Sequence, residues 1–171
     1  MKELFANLPH VQPQDLRLRE QTILLDTCFL VHALQNRKEK DLIRLMEQYP
    51  VGLTSFNVDE LDHIRHKIDE HVREALRKLL HHNQDLIIVG IPVHPGNRRL
   101  EEDYIRTIDP VLFSDVPDPS DAVLMAVAIQ TLSSVLTRDK HHLFTTKLQN
   151  YIQKYGIAVY KDFHEVPGWT A

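Results

Sequence analysis

The sequence lacks the features expected of a secreted or membrane protein. Cys28 is its single cysteine, so no disulfide can form within the chain. No stretch approaches the roughly 18 consecutive apolar residues that a membrane-spanning helix needs. No apolar run follows Lys2, as it would in a secretory signal. We therefore expect a cytoplasmic protein without a membrane partner.

An excess of basic residues is also missing. The formal net charge is -4, whereas a protein that coats nucleic acid carries a basic domain. A nuclease is compatible with this charge, because cations bound in an acidic site reverse the local sign. The chain has 171 residues, of which 43% are hydrophobic, and no repeat, low-complexity tract or long linker. It therefore fits one domain over 1–171, with an irregular lead-in at 1–20 and a tail at 161–171.

Short apolar runs alternate with amphipathic segments along the chain. The runs are apolar throughout instead of alternating with polar residues, which is typical of a parallel sheet covered on both faces. The pattern predicts an α/β protein, a three-layer α/β/α sandwich with a central, mainly parallel sheet. The predicted strands lie at 21–25, 51–54, 85–91, 134–137 and 157–160, and the predicted helices at 27–34, 38–48, 57–82 with a break near His66, 98–112, 122–131 and 139–155.

Four acidic residues follow predicted strands or begin predicted helices. They are Asp26, Glu60, Asp121 and Asp139. In a parallel α/β sheet the strand ends and the helix starts share one edge, where ligands bind. Carboxylates gathered there repel one another unless they are protonated or neutralised by cations. Oxygen ligands favour Mg²⁺ or Mn²⁺, so the pattern predicts a divalent-cation site.

Each of these acids also has a local structural interpretation as a capping residue. Chance capping does not require all four to be carboxylates on one edge, so we favour the joint metal site. The local alternatives are helix capping by Asp26 and Asp139, a capping box between Asn57 and Glu60, and an N-cap at Asp118 before Pro119 that leaves Asp121 to favour the helix dipole.

Four motifs resemble those of the PIN-domain nucleases. They occur in the expected order, and the resemblance covers residues 23–144, most of the chain. The chain departs from the family at Cys28, where a serine is common, and in its lead-in, its PVHPGNRR insert and its tail. The motifs are ILLDTC at 23–28, TSFNVDEL at 54–61, SDAVLMAVA at 120–128 and VLTRD at 135–139.

The resemblance implies an α/β/α sandwich that hydrolyses RNA with water activated by Mg²⁺ or Mn²⁺. It implies that the four acids bind the metal and are catalytic. It further implies that the hydroxyl of Thr27 or Thr137 holds a water or a carboxylate. Asp118, the predicted N-cap of the helix that carries Asp121, is a further candidate supporting residue. Many members of the family are VapC-type toxins held by an antitoxin, and others act on RNA without one. An antitoxin partner and a homodimer both stay open.

Basic residues near the acids are candidates for substrate binding. Arg138 stands beside Asp139, and Arg98 and Arg99 follow a Pro-Gly loop from which they could hold phosphates. Trp169 is expected to anchor the tail on the body of the protein.

Three rival hypotheses concern the chemistry. The first is a zinc site, suggested by His63 and His66 after Glu60 and by the histidine pairs at 81–82 and 141–142. A zinc site, however, usually also contains cysteine or a tighter histidine pattern. Dehalogenase-like phosphatases need a second Asp two residues after the first, where this chain has Cys28. A PIN fold kept only as a scaffold or binding module typically loses one or more of the acids.

Overall fold

Six short parallel strands form the central sheet of the computed structural model, which describes residues 1–139 and 143–170. The strands are β1 (His10–Val11), β2 (Ile23–Leu25), β3 (Val51–Thr54), β4 (Ile87–Val89), β5 (Ser134–Leu136) and β6 (Val159–Tyr160). Their order across the sheet is β1-β4-β3-β2-β5-β6, so the first strand of the apolar pattern, β2, lies in the middle.

Helices connect the strands and cover both faces of the sheet. The described residues contain nine α-helices and 3-10 turns at Lys2–Phe5, Arg65–Lys67 and Phe163–Glu165. The helices are α1 (Pro13–Leu16), α2 (Thr27–Gln35), α3 (Glu39–Gln48), α4 (Ser55–His63), α5 (Glu70–His82), α6 (Arg98–Ile108), α7 (Leu112–Asp115), α8 (Pro119–Thr131) and α9 (Thr146–Gln153). None of the helices in the described part of the chain is long and apolar enough to cross a membrane.

Side chains from the strands alternate between two hydrophobic cores. Ile23 and Leu25 join one core with α2, α3, α4 and α5, while Leu24 joins the other with α1, α6, α7, α8 and α9. Because both faces of the strands are buried, the strands have no polar face to display, which explains their continuous apolar runs. The predicted three-layer α/β/α sandwich with a parallel sheet is confirmed.

The lead-in is more ordered than expected. Residues 1–20 contain a 3-10 turn, the edge strand β1 and the short helix α1. His10 pairs with Ile88 of β4, and the Ile88 N–H donates to the Pro9 carbonyl at 2.8 Å. The prediction of an irregular lead-in was wrong because β1 has only two residues and neither is buried, so it shows no hydrophobic period.

The helix predicted at 98–112 is two helices. α6 ends before Asp109, whose backbone is extended at φ -150 and ψ 103. Pro110 explains the break, since the residue before a proline is driven out of the helical region. The Asp109 carboxylate then accepts the Val111 N–H at 2.9 Å and holds the turn.

The helix predicted at 139–155 begins later than expected. α9 starts at Thr146, because the Thr145 hydroxyl accepts the Leu148 N–H at 3.2 Å and caps the helix there. The predicted break near His66 is confirmed, because a 3-10 turn separates α4 from α5. The predicted anchoring of the tail is also confirmed, since Trp169 packs against the hydrophobic core that contains α2 to α5, and the Arg44 guanidinium of α3 lies 5.7 Å from the centroid of its ring.

Candidate functional site

The sheet reverses its strand order at β2. From β2 the chain proceeds through β3 and β4 on one side, and β5 pairs with β2 on the other. A crevice forms at the carboxyl ends of the strands at such a point. Asp26 directly follows β2, and its N–H donates to the Leu136 carbonyl of β5 at 2.9 Å. Asp26 and Asp139 therefore leave neighbouring strands at the crevice.

An open cleft of about 760 Å³ lies at this edge, and all four predicted acids line it. The four come from separate parts of the chain: Asp26 and Asp139 follow β2 and β5, Glu60 lies in the second turn of α4, and Asp121 lies in the first turn of α8. The other lining residues are polar (Thr27, Cys28, Gln35 and Ser120), basic or titratable (His32, His63 and Arg138) and apolar (Val31, Ile64 and Pro95).

Asp26 forms the buried floor of the cleft. Its Oδ2 atom accepts the Thr137 hydroxyl at 2.6 Å and the Cys28 thiol at 3.1 Å. Burial raises the pKa of Asp26, the two hydrogen bonds oppose this rise, and the charge of Asp139 adds to it. The Thr137 hydroxyl also accepts the Asp139 N–H at 3.0 Å. One threonine therefore fixes Asp26 and the backbone of Asp139 relative to each other.

Glu60 is held from the opposite side by two polar side chains. Its Oε2 atom accepts the Thr27 hydroxyl at 3.0 Å and the Asn57 amide at 3.3 Å. Burial raises the pKa of Glu60 to about 7, with further contributions from the charges of Asp26 and Asp121. The acids of the cleft therefore sense one another electrostatically, as the sequence pattern predicts for a shared site.

Asn57 was missed as a supporting residue. The helix begins at Ser55, with the Thr54 hydroxyl accepting the Asn57 N–H at 3.0 Å, so the capping box between Asn57 and Glu60 was wrong. The reason is that β3 runs into α4 without a loop. Asn57 is buried, and its side chain contacts the side chains of Thr54, Thr27 and Glu60. An asparagine three residues before an acid on a helix shares its face, and that spacing was the available signal.

The start of α8 combines capping and cleft-lining roles. The Asp118 Oδ1 atom accepts the N–H groups of Ser120 and Asp121 at 3.0 and 3.2 Å, so its predicted role as N-cap before Pro119 is confirmed. Asp121 is half-buried and lines the cleft. Asp139 also makes a local contact, because its Oδ2 atom accepts the Leu143 N–H at 3.2 Å.

The predicted substrate-binding arginines do not lie together. Arg138 is half-buried and lines the cleft, whereas Arg98 and Arg99 are exposed at the start of α6, outside the lining. The Arg98 guanidinium pairs with Glu102 at 2.9 Å. Of the histidines considered for zinc, His63 lines the cleft, and the pair 141–142 lies outside the described residues.

The fold has a counterpart among solved structures. It is similar to one chain in the crystal structure of VapBC2 from Rickettsia felis bound to a DNA fragment from their promoter. The TM-score is 0.53 at 14% sequence identity, and the match covers 82% of this chain and 98% of that chain. At this identity the likeness shows the fold alone. No protein-family model and no curated protein matches the sequence.

The cleft offers oxygen donors suited to a hard divalent cation. Among residues 1–139 and 143–170, no three His, Cys, Asp or Glu side chains form a preassembled metal-binding group; the acids surround the cleft. Asp26 and Glu60 are nevertheless desolvated and repelled by neighbouring carboxylates. A bound cation would offset both penalties, with water or substrate oxygens completing its coordination. The donor set therefore fits Mg²⁺ or Mn²⁺.

The Cys28 thiol is poorly suited to act as a nucleophile. Its sulfur is turned toward Asp26 at 3.1 Å, and desolvation together with the charge of Asp26 raises the pKa of the thiol to about 12. A thiol with that pKa is protonated at neutral pH, and the thiolate is the reactive form. Cys28 therefore serves as a hydrogen-bond donor to the floor of the cleft.

Proposed function

We propose that the protein is a Mg²⁺- or Mn²⁺-dependent ribonuclease that hydrolyses phosphodiester bonds in the cleft of four carboxylates. The observation that supports this most strongly is the gathering of Asp26, Glu60, Asp121 and Asp139 at the strand-order reversal. Carboxylates that are buried, mutually repelling and open to a cleft are typical of functional sites.

The chain's own residues hold the oxygen donors in place. Thr137 fixes Asp26, while Thr27 and Asn57 fix Glu60, so these two ligands are positioned before any cation arrives. Because the pKa of Glu60 is about 7, this carboxyl is protonated in part of the cation-free molecules at neutral pH and releases its proton when a cation binds. When bound, the cation lowers the pKa of water and stabilises the charge that develops on the phosphate.

RNA as the substrate rests on the resemblance of the sequence motifs to the PIN-domain nucleases. Arg138 lies beside Asp139 at the cleft and would bind the phosphate that is cleaved. The products would be a 5′-phosphate and a 3′-hydroxyl. An antitoxin-type protein partner is part of the same proposal, supported by the likeness to a chain of the VapBC2 structure.

A catalytically silent binding module is the second candidate. It is favoured by the absence of a preassembled metal-binding group among the described residues. Such a module would bind nucleic acid or protein through the same cleft without cleaving it. It predicts that Mn²⁺ leaves an RNA substrate intact at any concentration of the protein.

The deciding experiment is cleavage of a 5′-labelled structured RNA with Mn²⁺, with EDTA, and with the variants Asp26→Asn and Asp121→Asn. We expect the cleavage activity of both variants to fall by more than the roughly 10- to 100-fold that is typical when residues outside the first coordination shell are replaced. Asp103→Asn, at an exposed position of α6, is the matched control and should retain full activity.

Full activity of both cleft variants, or cleavage that EDTA does not abolish, would contradict the proposal. Circular dichroism of each variant separates loss of a ligand from loss of the fold.

A further inference from the structure

A histidine stands at the rim of the cleft on the segment that follows β4. Its neighbour Pro95 lines the acidic cleft, and His94 itself lies beside the cleft, outside the lining. The His94 side chain is 72% exposed. Exposed histidines are usually mobile and unpaired, but this one is held.

The residue that holds it is Asp59, the neighbour of Glu60 on α4. The Asp59 Oδ2 atom lies 2.6 Å from Nδ1 of His94, and its Oδ1 atom lies 2.6 Å from Nζ of Lys2. Because an ionised carboxylate only accepts hydrogen bonds, Nδ1 carries the proton and Nε2 is the ring nitrogen left for another partner. Carboxylate–histidine pairs of this kind fix the orientation of the ring.

Charge compensation alone does not explain the pair. Lys2 already neutralises Asp59 at its other oxygen, so His94 is not needed to compensate the charge of Asp59. What His94 gains from Asp59 is a fixed orientation.

The backbone around His94 is fixed as well. Gly96 has φ 102, a conformation that glycine adopts without strain, and its N–H donates to the buried Glu101 carboxylate at 3.4 Å. Asn97 caps α6 by accepting the Leu100 N–H at 3.2 Å. The backbone that follows His94 is therefore held to the start of α6.

The position of His94 complements the acidic floor. A nucleic-acid strand in the cleft presents several phosphates, and only the one at the carboxylates would be neutralised by cations there. The phosphates on either side need positive partners outside the floor. The loop that carries His94 continues into Arg98, which pairs with Glu102, and into Arg99 at the exposed start of α6, so one further basic side chain lies close to His94 along the chain.

We propose that His94, oriented by Asp59, binds a phosphate of the substrate strand next to the one that is cleaved. The doubly protonated ring donates one N–H to Asp59 and the other, from Nε2, to the phosphate oxygen. His94 is then a substrate-binding residue and Asp59 is a positioning residue. This inference rests on the proposed function, because it requires a nucleic-acid strand in the cleft.

The test is binding of fluorescent single-stranded RNA to the Asp121→Asn protein with excess Mg²⁺ at pH 6, followed by anisotropy at several salt concentrations. Adding His94→Ala should weaken binding about 5-fold and lower the slope of log Kd against log salt by about 0.7, the value for one phosphate on a single strand. His94→Lys keeps a cation at the position and should restore both the affinity and the slope.

Asp59 is tested in the same background. Asp59→Asn should weaken binding, and the variant lacking both His94 and Asp59 should bind as His94→Ala alone does, because the two residues act as one unit. His71→Ala is the matched control, since His71 lies on α5 in a groove that none of the four acids lines. It should leave affinity and slope unchanged.

The outcomes separate the two proposals. If the wild type cleaves RNA but His94→Ala leaves affinity and salt slope unchanged, the role of His94 is wrong and the nuclease proposal stands. If His94→Lys binds no better than His94→Ala, the contact is not with a phosphate. If the Asp121→Asn protein does not bind RNA and the wild type does not cleave it, both proposals fail.

Discussion

Asp59 and Glu60 are adjacent acids on α4 that face opposite electrostatic surroundings. Asp59 contacts two cationic or titratable partners, Lys2 and His94. Burial raises the pKa of Asp59, but the hydrogen bonds and charges of these partners outweigh it, and the pKa is lowered. Glu60 faces hydroxyl, amide and carboxylate groups, and its pKa is raised to about 7. Successive side chains on a helix point about 100° apart. The charge of Asp59 is therefore stabilised by its partners, while the charge of its neighbour Glu60 is destabilised.

The difference separates two uses of a carboxylate. Asp59 stabilises the folded protein by pairing, and this pairing holds a neighbouring loop in place. Glu60 weakens the folded protein when it is ionised without a cation, and such groups occur where a ligand is expected to compensate. Residue type alone would rank the two acids as equals, whereas their partners assign them opposite roles.

The largest expected effect concerns cleavage by variants of the two neighbours. Under the proposed function, Glu60→Gln removes a cation ligand and should lower kcat by more than about 100-fold, which exceeds the loss typical of outer-shell changes. Asp59→Asn should act mainly on KM, because it loosens substrate binding at the rim. Steady-state kinetics with Mn²⁺ measures both. An equal loss of kcat in the two variants would contradict the different roles assigned to Glu60 and Asp59.

The second effect concerns stability against pH without divalent cations. Since folding raises the pKa of Glu60 from an ordinary 4.5 to about 7, its stabilising contribution is full below 4.5 and lost as the pH rises to about 7. Between pH 4.5 and pH 8, Glu60→Gln should therefore gain stability relative to the wild type, on the order of 3 kcal/mol. Urea unfolding in EDTA at these two pH values measures the gain.

Replacing Asp59 should lower the stability of the folded protein in the same experiment, whereas replacing Glu60 should raise it. Its lowered pKa gives stability that is present above the ordinary value of 3.8 and lost as the pH falls below it. Asp59→Asn should cost about 1 kcal/mol at pH 7, because Lys2 is exposed and its ion pair is screened. Excess Mn²⁺ should raise the Tm of the wild type and of Asp59→Asn by the same amount. It should raise the Tm of Glu60→Gln by less. A gain in stability on replacing Asp59 would contradict this.

The smallest effect concerns the hydroxyl that holds Glu60. Thr27→Val removes the 3.0 Å hydrogen bond to the carboxylate and should lower kcat/KM about 10-fold, within the range for groups that orient metal ligands. Thr131→Val is the matched control, because Thr131 is buried in α8 and donates to the Val127 carbonyl at 2.7 Å. Each substitution should lower the free energy of unfolding by about 1 kcal/mol, and only Thr27→Val should also lower the activity.

The sequence allowed the edge that gathers the four acids to be predicted, because strand ends and helix starts are local features. Asp26 and Asp139 follow apolar runs, and their common edge is a consequence of parallel pairing. The break at Pro110 was also predictable from the residue before a proline. It was missed because the apolar spacing continues across it.

The pairing of Asp59 with His94 could not be predicted. The two residues are 35 positions apart, and His94 lies in a proline-rich segment without a hydrophobic period. Their contact depends on where β4 places the following loop beside α4, which is a property of the assembled sheet. The same holds for Asn57, whose role is visible only when α2 and α4 are packed side by side.

The hydrogen bond between Asp26 and Thr137 spans 111 residues. It depends on the docking of β5 beside β2 in the middle of the sheet, and pairings between such distant segments form late and slowly. A ribosome that has made β2, β3 and β4 has therefore not yet produced a cleft that contains all four acids. Under the proposed function, the growing chain would stay harmless to the messenger being translated until β5 has emerged and found its place.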